Sequence, residues 1–100
     1  MNKRFDKNLR RQEILEAAVR VAEKCGGFSN LTRLNVANEA LCSEGLVSRY
    51  FGTMPQFKRD IMRVAIKNRN LSIIAQGIGT GNRQALNIDE GLKREVLNSL

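Results

Sequence analysis

The 100-residue chain has no histidine and no tryptophan, and it holds only two cysteines, one proline and one tyrosine. Each shortage closes off a class of chemistry. Cys25 and Cys42 are too few for a metal site, and there is no His to complete one. The same absence argues against an enzyme, because no paired carboxylates and no nucleophile beside a base share one readable face. Both cysteines lie on apolar-periodic positions and read as small buried thiols in a reducing compartment. The opening MNKRFDKNLRRQE has no apolar run behind its charges, so it does not read as a signal peptide. No window approaches the length of a membrane span, and no segment joins a basic face to bulky apolar residues and aromatic anchors. A soluble, cytoplasmic protein with no cofactor and no membrane partner is expected.

What the chain does have is positive charge, unevenly spread. The net charge is +7. Residues 1–69 hold fourteen Lys or Arg against seven Asp or Glu, whereas residues 70–100 hold three of each. The whole excess therefore belongs to the first two-thirds, as an electrostatic footprint for a polyanion requires. One hundred residues suffice for one small domain with a single modest core.

Residues 1–9 show no helical stripe and read as a flexible basic arm carrying Lys3, Arg4 and Lys7. Such an arm can reach into a minor groove beside a main docking site; the competing reading is a solvated terminus. From Asn8 to Cys25 the positions Ile14, Ala17, Ala18, Val21, Ala22 and Cys25 advance with helical periodicity. Glu16 and Arg20 are spaced as an (i, i+4) pair on the opposite face. Gly26-Gly27 ends this helix, and Phe28 folds back onto the core.

The stretch TRLNVANEALCSEGLVSRYF, from Thr32 to Phe51, reads as a helix-turn-helix. Thr32 caps its first helix and Ser43 its second. Val36, Ala37, Ala40, Val47 and Phe51 fall at spacings that let the two helices share one core. Glu44, Leu46, Ser48, Arg49 and Tyr50 are left to face outward, with Ser43, Gly45 and Ser48 small enough for close backbone approach. A helix with such a face fits the major groove of B-DNA. Gly45 costs roughly 1 kcal/mol of helix stability relative to Ala, which makes sense if a side chain there would strike DNA or a neighbouring helix.

Gly52 closes this second helix. Thr53 with Gln56 forms a capping box for a further helix, in whose first turn Pro55 is tolerated. Phe57, Ile61, Val64 and Ala65 form its buried stripe, with Lys58, Arg59, Arg63 and Lys67 on the solvated face. Leu71, Ile73, Ile74 and Ile78 predict one or two helical turns. Residues 77–82, GIGTGN, read as a loop; no strand precedes them and no P-loop lysine follows, so nucleotide binding is not indicated. Asn87 and Glu90 are predicted to cap a last helix with the stripe Ile88, Leu92, Val96, Leu97 and Leu100.

The stretch from about Arg11 to Ile66 resembles the DNA-binding domain of the TetR family of bacterial regulators. The resemblance is carried by Ile14-Leu15, Ala17-Ala18, Gly27, Thr32, Val36-Ala37, Ala40, Ser43, Gly45, Val47, Tyr50 and Phe51. It implies a three-helix helix-turn-helix bundle with a fourth helix leading away, over residues 10–69; with the short helical tail that the apolar stripes predict over 70–100, the fold expected is all-α. It implies dimeric binding of near-palindromic double-stranded DNA and repression by promoter occlusion. Thr32 and Arg33 would meet the DNA backbone or a base edge, Ser43, Glu44, Gly45 and Leu46 would line the groove, and Ser48, Arg49 and Tyr50 would complete the contact. Three departures stand out. Leu41 occupies a turn position that is usually Gly in the family. Met54 stands where a phosphate-binding Lys is usual, leaving Thr53 and the free amides of that helix end to substitute. The large C-terminal effector domain is replaced by about thirty residues, too few for an ordinary ligand cavity, so no small-molecule effector is expected. Short proteins with segments similar to VSRYFGTM and IIAQG resemble those of bacteriophages and prophages, which points to the cytoplasm or nucleoid of a bacterial host.

Two other functions remain open on these residues: an architectural phage DNA-binding protein with little base preference, and a protein-binding antirepressor-type module. The tail likewise has two readings, a homodimer interface or a cap that completes a monomer core.

Overall fold

Every helix after the first opens on a short polar side chain that accepts an N–H from its own first turn. The computed structural model describes residues 7–24 and 27–100, all helix and connecting turns. The helices are α1 (Lys7–Lys24), α2 (Arg33–Ala40), α3 (Glu44–Phe51), α4 (Met54–Lys67), α5 (Leu71–Gly79), α6 (Arg83–Leu86) and α7 (Glu90–Asn98), with a single 3-10 turn at Phe28–Asn30. Thr32, Ser43, Thr53, Asn70, Asn82 and Asp89 cap α2 to α7 in turn. Two of these are reciprocal boxes. Thr32 and Asn35 exchange bonds of 2.9 and 3.1 Å, and the Thr53 N–H donates to Gln56 Oε1 at 2.9 Å while Thr53 Oγ1 accepts from the Gln56 N–H at 3.3 Å.

Helix ends are closed just as locally. At the end of α2 the Cys42 N–H reaches Ala37 O at 2.9 Å and the Leu41 N–H reaches Asn38 O at 3.4 Å, the paired bonds of a Schellman closure. Leu41 carries the left-handed conformation that this closure demands, φ 58° and ψ 48°. A leucine there is disfavoured by roughly 1–2 kcal/mol relative to right-handed backbone, so the turn keeps its usual shape and absorbs the strain. The same closure ends α4 at Arg69, φ 54°, and α5 at Gly81.

One core runs through the whole described chain. Ile14, Leu15 and Ala18 of α1 meet Val36 and Ala37 of α2, Val47 and Phe51 of α3, and Phe57, Ile61 and Met62 of α4; Ile73, Ile74, Ala85, Leu92 and Val96 of the tail belong to the same cluster. Phe51 and Phe57 stack with centroids 4.6 Å apart, and the Arg11 guanidinium lies over the outer face of Phe51 while bonding Asp60 at 3.1 Å. α5 packs on α4 and α1, and α6 on α4 and α5. α5 and α6 thus cover α4 directly and α7 packs on α5, with apolar area the driving force.

Several local readings are corrected. α1 begins at Lys7, so residues 7–9 are helical rather than part of an arm; Lys3 and Arg4, like Cys25 and Gly26, lie outside the described residues. Arg20 does not pair with Glu16. It bonds Glu39 of α2 at 2.8 Å, with Lys24 at 3.2 Å on the other carboxylate oxygen, while Glu16 accepts from Gln12. Met62 is fully buried on α4 where Val64 is only half-buried, because the tail covers a flank that a lone α4 would expose. Gly77 is helical rather than loop: a Cβ there would overlap Met62 Cε and lie 2.8 Å from Ala85 Cβ, so glycine lets α4, α5 and α6 meet. Asp89, not Asn87, caps α7, and Asn87 ends α6. Of the expected last stripe only Leu92 and Val96 are buried, whereas Leu97 and Leu100 are exposed. Cys42 is half-buried rather than sealed.

Candidate nucleic-acid interface

The outward face of α3 is built by subtraction. Val47 and Phe51 anchor the helix with side chains that are almost fully buried. Leu46 and Tyr50 lean on the same core and are half-buried, as is Ser48. What remains free on the far side is Gly45 and Arg49, one helical turn apart and both exposed. Ser43 and Glu44 complete the exposed first turn. The Ser43 hydroxyl accepts the Leu46 N–H at 3.0 Å, and Glu44 sits beside the positive end of the helix dipole.

Gly45 has no internal reason to be glycine. Its backbone is not in the left-handed region. A Cβ built on it would meet nothing but Ser43 Oγ at 3.8 Å, an ordinary contact. The neighbouring-helix explanation therefore falls away, and the missing side chain leaves open space on the outer surface. Arg49 forms no ion pair among the described residues, in contrast to Arg10, Arg11, Arg20, Lys24, Arg63 and Arg69, each of which faces a carboxylate.

A second set of expected contact residues gathers where three helix ends meet. Thr32 and Arg33 open α2, Tyr50 lies in the last turn of α3, and Thr53 opens α4. The Arg33 guanidinium donates to Gly52 O at 3.2 Å and so ties the start of α2 to the end of α3. Thr32 and Thr53 are exposed, but their hydroxyls are engaged as caps. Tyr50 leans against Phe51 with ring planes 46° apart. The amide substitute for a phosphate-binding lysine is small. Pro55 has no N–H, Thr53 takes that of Gln56, and Met54 is half-buried against the core, which leaves the Met54 amide. Lys7 is exposed at the start of α1.

The linkage between Arg33 and Gly52 joins residues 19 apart in sequence and had no signature in the pattern. The same holds for the Arg20–Glu39–Lys24 cluster, in which the bonds from Arg20 and Lys24 hold the Glu39 carboxyl below its ordinary value. That cluster edges a shallow depression lined by Arg10, Glu13, Glu16, Arg20, Glu39, Ala40 and Leu41; its arginines are already satisfied by Glu13 and Glu39. Among the described residues no group of three or more potential ligands could hold a metal ion, and no helix is long and apolar enough to cross a membrane. The chain matches no protein-family model, no curated protein and no solved structure.

Proposed function

We propose that the chain is a sequence-specific regulator of transcription that binds double-stranded DNA through α3, in the manner of a TetR-type helix-turn-helix domain. The observation that carries this reading is Gly45. An exposed glycine in a first helical turn, with no packing or conformational need for it, sits one turn from an exposed arginine without an ionic partner. That pair is what a helix needs to lay its backbone close to base edges and send one long donor to guanine O6 and N7. The distribution of charge supports it, since the net positive excess lies within residues 1–69 and raises the local concentration of a polyanion whatever its sequence. Occlusion of a promoter is then the simplest mode of action.

One reading helix covers only a few base pairs, so pairing of two copies is part of the proposal. In the tail, Leu86, Leu97 and Leu100, 45 %, 56 % and 83 % exposed, offer apolar side chains for it. Multi-angle scattering of the DNA complex reads this directly: two copies per duplex are expected, and one copy per duplex ends the dimer.

Selection of bound sequences from a random duplex pool, followed by competition at fixed salt, tests the reading as a whole. A defined consensus that outcompetes random duplex by 10³-fold or more is expected, within the range of specific DNA-binding proteins. Equal binding of all duplexes would replace it with an architectural role, and no binding at low salt would leave a protein-binding module.

A further inference from the structure

Arg33 was expected to touch DNA, and its surroundings assign it a different task. Its guanidinium donates to the carbonyl of Gly52, the residue that terminates α3 with φ 75°. Its Nε is sealed from solvent and has no partner. An arginine that grips phosphate presents an open fork; this one has its Nε buried and a terminal nitrogen on the Gly52 carbonyl. The placement is also costly in terms of its own helix, because a cation in the first turn of α2 faces the positive end of the α2 dipole. The negative end of α3, where the Gly52 carbonyl lies, offsets that. Gly52 in turn leads directly into Thr53, the cap of α4. One side chain thus links the start of α2, the end of α3 and the start of α4.

We infer that Arg33 is a positioning residue that sets the orientation of α3, and with it the aim of Gly45 and Arg49, rather than a DNA ligand. The inference rests on the DNA-reading role proposed above. α3 has eight residues and is anchored to the core by Val47 and Phe51, with Leu46 and Tyr50 leaning on the same core, and the bond from Arg33 to Gly52 adds a fixed point at its C-terminal end. Ser43 holds the first turn through Leu46, and Arg33 holds the last. Recognition geometry tolerates only about 0.5 Å or 10–20° of slack before specificity suffers.

The test uses the full chain carrying Arg33→Met, with Arg33→Gln as the second truncation should the first fail to fold, and Arg33→Lys as the conservative variant that keeps a donor for Gly52. Without DNA, amide hydrogen exchange should quicken at residues 50–52 and in the first turn of α4, while α1 and α5 keep their protection; unchanged exchange at the end of α3 overturns the brace. With DNA, competition between selected and random duplexes should show discrimination falling about tenfold in R33M, the size of one good base contact, and largely restored in R33K. The slope of log K against log salt should stay as in the wild type. A slope shallower by about 0.9 with discrimination intact is the mark of a lost phosphate contact and overturns the inference. Should the wild-type chain itself show no discrimination, the DNA-reading proposal falls while hydrogen exchange still decides the brace.

Discussion

Replacing Gly45 with alanine sets stability against function at one atom. Gly45 occupies the second position of α3, exposed and with backbone angles that any residue accepts. The added Cβ would touch only Ser43 Oγ at 3.8 Å, so nothing has to move. Alanine loses less backbone entropy than glycine on folding, which is worth about 0.5–1 kcal/mol in a helix. For a domain of this size that corresponds to a rise in Tm of roughly 2–8 °C. Thermal unfolding followed by circular dichroism, with urea titration to confirm an unchanged slope, reads this directly. On the duplex the sign reverses. If the α3 backbone approaches the bases at Gly45, the methyl group holds the helix away, and affinity for the selected sequence should fall at least about tenfold, or 1.4 kcal/mol. A variant that is more stable and binds as tightly as the wild type would refute the close approach and remove the main support for the proposed reader. A destabilised variant would show instead that the open space beside Gly45 is not there.

Arg49→Ala should cost roughly 1–3 kcal/mol at the selected duplex and relax the preference at one base position; an equal loss for all sequences would make Arg49 a phosphate contact. Gly77→Ala should destabilise the chain by about 1–3 kcal/mol in urea, since Ala85 Cβ, 2.8 Å from the new methyl, cannot retreat as the tip of Met62 can; a neutral effect would mean that α6 does not press on α5. Glu39, whose carboxyl is held low by Arg20 and Lys24, contributes stability that is present above its unfolded value and lost as pH falls through the lower folded one. Glu39→Gln should therefore remove part of the acid sensitivity of the α1–α2 contact, seen as a flatter stability profile below the ordinary glutamate range, and an unchanged profile would show the cluster to be idle.

The caps were legible residue by residue because they are local chemistry. Thr32, Ser43 and Thr53 each stand where a short oxygen-bearing side chain meets a helical stripe, and each caps as read. Gly52 was legible as a terminator for the same reason. The tail was harder. A cluster of glycines at 77, 79 and 81 resembles loop, and only the packing of Met62 and Ala85 against Gly77 shows why that glycine belongs inside a helix. Asn87 and Asp89 are both good caps two residues apart, and the fall of Leu92 and Val96 into the core chose Asp89. In the candidate interface, the outward residues of α3 followed from periodicity, yet periodicity could not separate free Gly45 and Arg49 from half-buried Leu46 and Tyr50.

By itself the sequence determined the all-helical class, the starts of α2, α3 and α4, and the concentration of positive charge outside the tail, because helical periodicity, capping and net charge act within a turn or add up along the chain. The tertiary structure decided what depends on residues far apart meeting: that Arg20 pairs with Glu39 instead of Glu16, that Arg33 reaches Gly52, that Leu41 accepts a left-handed turn, and that the tail joins the core over α4. A polar side chain chooses among all partners within its reach in space, and a linear pattern holds only those within reach along the chain.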